Sequence, residues 1–205
     1  MKKKFNRVYQ FKIKLRDIKP PIWRRILVPE NYSFWDLHVA IQDSMGWLDC
    51  HLHEFEIIDP STGMKVEIGI PIEDDFEMDR EVTPGWEVKI ADYFTIENRT
   101  AYYEYDFGDG WEHVIKLEKI LPRDKNIDYP ICIGGRRACP PEDVGGVGGY
   151  KNFLEIINDP THEEYEEMLQ WVGGAYDPEH FNPEEVIFDD PQERWKIAFE
   201  NQGIY

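Results

Sequence analysis

The sequence has little of what the common catalytic signatures require. Only three of its 205 residues are serine (Ser33, Ser44, Ser61) and three are cysteine (Cys50, Cys132, Cys139). No Gly-x-Ser-x-Gly elbow and no Gly-x-x-x-x-Gly-Lys loop is present, which argues against an α/β-hydrolase nucleophile and a P-loop nucleotide site. Three cysteines are too few for a disulfide scaffold and leave at least one thiol unpaired, so a reducing cytoplasm is the expected compartment. No apolar run approaches the ~18 residues of a membrane span. The start, MKKKFNRVYQFKIKL, is basic but lacks the apolar stretch of a signal peptide. Positive charge is also scarce: 23 Lys and Arg stand against 41 Asp and Glu, a formal charge of −18. Ten of the bases fall in residues 1–25 beside one acid, Asp17. The rest of the chain would be repelled by a phosphate backbone, which argues against nucleic acid as the partner class, and an anion or nucleic acid bound through the basic N-terminal strand stands as the third reading.

Leucine is sparse as well, 9 residues against 22 Ile and 11 Val, while Phe, Tyr and Trp together number 29. This bias favours a sheet-rich core. Leu, Ile, Val and Phe make up 53 residues, about 26% and above the ~20% below which a highly charged chain stays disordered.

Along the chain, Tyr9, Phe11, Ile13 and Leu15 alternate with polar residues as a half-buried strand does. Pro20-Pro21 ends it, and Ile22–Val28 reads as a second, antiparallel strand. Ser33 with Asp36 three residues on reads as a weaker version of the capping box, opening a helix whose stripe is Phe34, Leu37, Ile41 and Met45, with His38 on the same stripe and Gly46 at the C-terminus. Residues 50–58 read as a strand with His51, His53, Phe55 and Ile57 on one face. Residues 59–85 read as turns, the acidic Glu73-Asp74-Asp75 included, with a short strand near Met64–Ile70. Val88–Phe94 fits a strand or one helical turn. Thr100–Phe107 and Trp111–Ile120 flank Gly108-Asp109-Gly110 as a hairpin. Either two-residue loop puts Asp106 on the face of His113, and a three-residue loop would not. A Gly/Pro-rich loop spans 130–150, and helices follow at Tyr150–Asn158, at Glu163–Val172 with its cap near Thr161, and near Gln192–Glu200. The expected organisation is a single α+β domain of antiparallel or mixed sheet: sheet-rich 5–121, the loop 130–150, and an acidic helical part 150–205.

Three groups of residues could carry chemistry. His51 and His53, two apart on a strand face, can share a metal ion, and Asp106 and His113 from the hairpin would complete a mixed nitrogen and oxygen set. Such a set suits a divalent zinc, manganese or iron ion and could activate water, with Asp109 or Glu142 as general base. Cys132 and Cys139 flank Arg136-Arg137, whose charge would lower a thiol pKa. The aromatic hairpin carries Tyr102, Tyr103, Tyr105, Phe107 and Trp111, which serve either sheet packing or a docking surface.

Pro21-Ile-Trp-Arg-Arg25, Leu37-His38 with Met45-Gly-Trp47, His51-Leu-His53 with Phe55, Tyr105-Asp-Phe-Gly-Asp109 with Trp111 and His113, and Cys139-Pro-Pro-Glu-Asp-Val-Gly-Gly146 occur in this order. The set resembles the plasmid pRiA4b ORF-3-like family from about Tyr9 to Glu200. The resemblance implies a single-domain α+β protein of a largely uncharacterised family, some of whose members are linked to mobile elements and a resolvase-like passenger role. The sequence lacks the serine among N-terminal arginines that resolvase chemistry needs.

The preferred expectation is a non-enzymatic binding or accessory protein. Its partner, an unidentified protein or small molecule, would occupy a groove between the hairpin and the 130–150 loop, with Tyr105, Trp111, Arg136 and Asp143 as binding residues. The second is a metal-dependent hydrolase using the His/Asp set.

Overall fold

The computed structural model describes residues 4–71 and 81–200. The acidic turn expected at Glu73-Asp74-Asp75 lies outside them. Among the described residues, eight strands form one sheet: β1 (Arg7–Leu15), β2 (Trp23–Pro29), β3 (His53–Ile58), β4 (Lys65–Gly69), β5 (Val82–Pro84), β6 (Thr100–Tyr105), β7 (Trp111–Pro122) and β8 (Ile131–Arg136). Their spatial order is β5-β4-β3-β6-β7-β1-β2-β8, and all neighbours are antiparallel except the β4–β5 pair. With helices α1 (Phe34–Met45), α2 (Ile90–Tyr93), α3 (Gly146–Ile157), α4 (Tyr165–Trp171) and α5 (Pro191–Trp195), the fold is α+β with a mixed sheet. No helix is long and apolar enough to cross a membrane among the described residues.

Three hairpins of neighbours in sequence, β1–β2, β3–β4 and β6–β7, build most of the sheet. Two long-range seams, β1–β7 and β3–β6, join them. Along β1, Tyr9, Phe11, Ile13 and Leu15 are buried as their alternation predicts. The basic residues between strands are partnered by acids: Arg7 with Glu30, Arg16 with Glu112 and Arg25 with Glu118.

Helix α1 forms because its ends are chemically marked. The Ser33 hydroxyl accepts the Asp36 N–H, the Asp36 carboxylate accepts the Ser33 N–H, and Gly46 closes the helix at φ 94°. Its Phe34 meets Phe55, Tyr93 and Phe94 at ring-centroid distances of 5.2, 5.5 and 6.0 Å. Val88–Phe94 resolves as the helical turn α2, not a strand. The cap expected near Thr161 is not used: Thr161 bonds back to Asp159, and α4 starts at Tyr165, two residues after the expected Glu163, with Glu164 at its N-cap position.

The hairpin is where expectation and structure part. Tyr105 pairs with Trp111, so five residues, 106–110, make the turn and Tyr103 stands opposite His113. This pairing differs by an odd step from either two-residue loop, which turns Glu104 away from His113 and ends the expected sharing of a face by Asp106 and His113. The physical reason lies at Asp106, which adopts φ 55° and gives its N–H to Leu52 O at 2.9 Å. Asp106 thus leaves the β6–β7 ladder and closes onto the chain ahead of β3.

Candidate metal centre

That departure builds the site. In the β3–β6 ladder His53 pairs with Tyr105. One step further, Asp106 faces Leu52, and His51 stands beside it. The third component arrives from the far side of the sequence. The 139–145 loop and the start of α3 are pressed onto the hairpin turn: Asp109 Oδ2 accepts the Gly145 N–H at 3.1 Å, and a Cβ on Gly146 would lie 2.4 Å from Asp109 O. Gly146, at φ 67°, is therefore required by both close approach and conformation. Tyr105 donates its hydroxyl hydrogen to Glu142 Oε1 at 3.1 Å, which also accepts the Leu48 N–H at 2.8 Å, and Trp47 Nε1 donates to Pro140 O at 3.0 Å. These bonds carry Asp143, held at φ 56°, to His51.

His51 Nε2 lies 3.0 Å from Asp143 Oδ1 and 3.7 Å from Asp106 Oδ2. One ligand atom from each of the three residues falls within 4.8 Å of the others. Nε2 is shielded from solvent yet makes no hydrogen bond, so the Asp143 oxygen is at ion-pair distance but off the donor line. Asp106 is oriented by its own turn: Oδ1 accepts the N–H groups of Gly108 and Asp109 at 3.0 and 3.3 Å. Two carboxylates converge on one imidazole nitrogen, an arrangement that a cation at ~2.0–2.2 Å from each donor would satisfy and that repels itself without one.

Of the expected metal set, His51 and Asp106 come together, and Asp143, expected as a binding residue, joins them. His53 and His113 do not. His53 stacks on His38 with ring centroids 3.4 Å apart and 9° between planes, and burial drives its pKa well below the usual histidine value. His113 is buried edge-on to Trp47, and burial lowers its pKa to about 4 despite the Tyr103 and Trp111 backbone bonds. Both stay neutral imidazoles inside the sheet's core. His38 bridges Tyr103 Oη and Asp49 Oδ1, each at 2.8 Å.

The groove expected between hairpin and loop is filled by the contacts just described. Tyr105 and Trp111 are fully buried and present no docking surface, while Arg136 is exposed at the end of β8. Of the two candidate bases, Asp109 is tied to Gly145. Glu142 is held by Tyr105 and Leu48, and burial pushes its carboxyl above the usual range against those bonds. The thiol expectation is reversed: burial raises Cys139 and Cys132, and the arginine that opposes it is Arg24, not Arg136. Asp143 was the residue whose role sequence reasoning missed. Its only signal was its place in Pro-Pro-Glu-Asp, just ahead of the glycines that allow close approach.

Comparison with known proteins agrees on kinship and assigns no chemistry. The chain is 34% identical over 196 residues to the uncharacterized protein y4hQ of Sinorhizobium fredii (strain NBRC 101917 / NGR234), covering 92% of this chain and 94% of that protein. It is similar to the crystal structure of MM3350, a protein of unknown function from Methanosarcina mazei Go1, with 50% identity and a TM-score of 0.83 over 90% of this chain and 100% of that one. The pattern described as plasmid pRiA4b ORF-3-like protein matches residues 7–185. The chain belongs to the plasmid pRiA4b ORF-3-like family.

Proposed function

We propose that this protein is a divalent-cation-binding accessory protein, with the ion held by His51, Asp106 and Asp143. The observation that carries the reading is His51 Nε2, shielded and without a hydrogen bond, between two carboxylate oxygens at 3.0 and 3.7 Å. One imidazole and two carboxylates suit manganese, iron(II) or zinc. Three protein ligands leave coordination positions open, where a partner's oxygen or nitrogen donor binds. The test is elemental analysis of untagged protein purified without chelator, followed by calorimetric titration with Mn2+ and Zn2+. About one equivalent is expected, lost in His51→Ala and Asp143→Asn and kept in the surface variant Glu155→Gln. No uptake, or uptake that survives both substitutions, overturns the reading.

A metal-dependent hydrolase is the second reading, favoured by Glu142, a carboxyl raised by burial beside this cluster. Hydrolysis of activated phosphodiesters or esters by metal-loaded protein, abolished in Glu142→Gln with metal affinity retained, supports it. Turnover unchanged in Glu142→Gln refutes it.

A further inference from the structure

A second cavity lies away from the His51 cluster, between the start of β1, the residues ahead of α1, the turn before β8 and the entry to α5. It is a half-open cleft of about 410 Å3, within the ~300–1,000 Å3 range of small-molecule sites. Its walls carry four aromatic rings, Phe5, Tyr32, Tyr129 and Phe188, and the carboxylates Asp36 and Asp190. Asp189 also reaches it but is engaged by Arg194 at 2.5 Å. No lysine or arginine lines it among the described residues; Arg123 sits over the Phe5 ring at 4.2 Å without lining the cavity.

Two polar groups at this cavity have capacity to spare. Asp190 accepts the Gln192 N–H through Oδ1, and its Oδ2 has no protein partner among the described residues. The Tyr32 hydroxyl makes no hydrogen bond there either. Burial first, and then the fields of Asp36, Asp190 and Asp43, push its phenol far above the usual tyrosine value. A wall of aromatic faces and carboxylates, with no lysine or arginine among its lining residues, selects against anions and attracts organic cations through ring quadrupole and carboxylate together.

We infer that this cavity is a binding site for an organic ammonium ion with an apolar or aryl body, its charged end at Asp190 and Tyr32 and its body among the rings of Tyr129 and Phe188. Phe5, Phe188 and Asp190 lie outside the residues 7–185 matched by the family pattern.

The test is calorimetric titration of the full chain with phenethylammonium and with its neutral analogue 2-phenylethanol, in ~0.15 M salt to screen the general attraction of an acidic protein for cations. The ammonium is expected to bind with one-to-one stoichiometry, at least tenfold tighter than the alcohol. Asp190→Asn removes the charge while keeping an acceptor for the helix cap, and Tyr129→Ala removes a ring. Each is expected to weaken ammonium binding at least fivefold, while the circular-dichroism spectrum of Asp190→Asn stays that of the parent. His51→Ala is expected to leave it unchanged, which separates this site from the metal centre. Equal affinity for the two probes, no saturable binding of the ammonium, or binding indifferent to both substitutions overturns the inference.

Discussion

His113 offers the sharpest test of the core electrostatics. Its ring is fully buried, and its pKa falls from 6.5 to about 4, chiefly through burial. Above pH 6.5 the imidazole is neutral in both folded and unfolded chains and costs nothing. As the pH falls below 6.5 the unfolded chain takes up a proton that the folded chain refuses, so stability is lost, and the loss levels off below about 4. At pH 5 the two pKa values correspond to about 2 kcal/mol lost relative to pH 7.5, using ~1.4 kcal/mol per pKa unit. Asp43 acts in the opposite sense: burial raises its carboxyl to about 6, so the folded chain gains protons there that the unfolded chain does not. The two contributions are separated by comparison with His113→Phe, which keeps Asp43 and removes only the imidazole. Urea unfolding at pH 7.5 and pH 5 is expected to show the parent losing about 2 kcal/mol more than the variant across that interval. Parallel losses would mean that the ring is protonated inside the fold and that its burial is misjudged.

Three further substitutions probe the scaffold, each read by urea denaturation. Ser33→Ala removes one half of the α1 capping box and is expected to cost about 1 kcal/mol, whereas Ser33→Asp should cost little. Phe34→Ala empties a site ringed by Phe55, Tyr93 and Phe94 and is expected to cost about 3–5 kcal/mol. Arg194→Met leaves Asp43 and Asp49 buried without their base and is expected to cost about 3–5 kcal/mol at pH 7.5 and less at pH 5, where Asp43 takes a proton.

How much of this was legible in the sequence depended on how local the determinant was. Helix α1 was readable to its ends because the Ser33–Asp36 pair and Gly46 act within one turn of the residues they cap. Strands β1 and β2 were readable because alternation and Pro20-Pro21 are written consecutively. The β6–β7 hairpin was placed correctly, but its faces were not, since a left-handed aspartate at 106 lengthened the turn and an odd shift reverses every side chain. The candidate centre was half visible. His51 and Asp106 were singled out for a metal, yet their meeting depends on the β3–β6 seam, and Asp143 joins them only through the backbone approach that Gly145 and Gly146 allow. His53 and His113 look like ligands in sequence because ligand and core histidines have the same letter; burial against Trp47 and His38 separates them.

The position of Arg194 has a consequence for how the chain comes into being. Its guanidinium neutralises Asp43 from 151 residues away. At ~5–20 residues per second, a ribosome takes about 8–30 s to travel that distance. Throughout that interval Asp43, near the end of α1, and Asp49, just beyond it, have been synthesised and lack their cation. The charge balance of the segment between α1 and β3 is therefore completed by a residue synthesised well after that segment has left the ribosome's active centre.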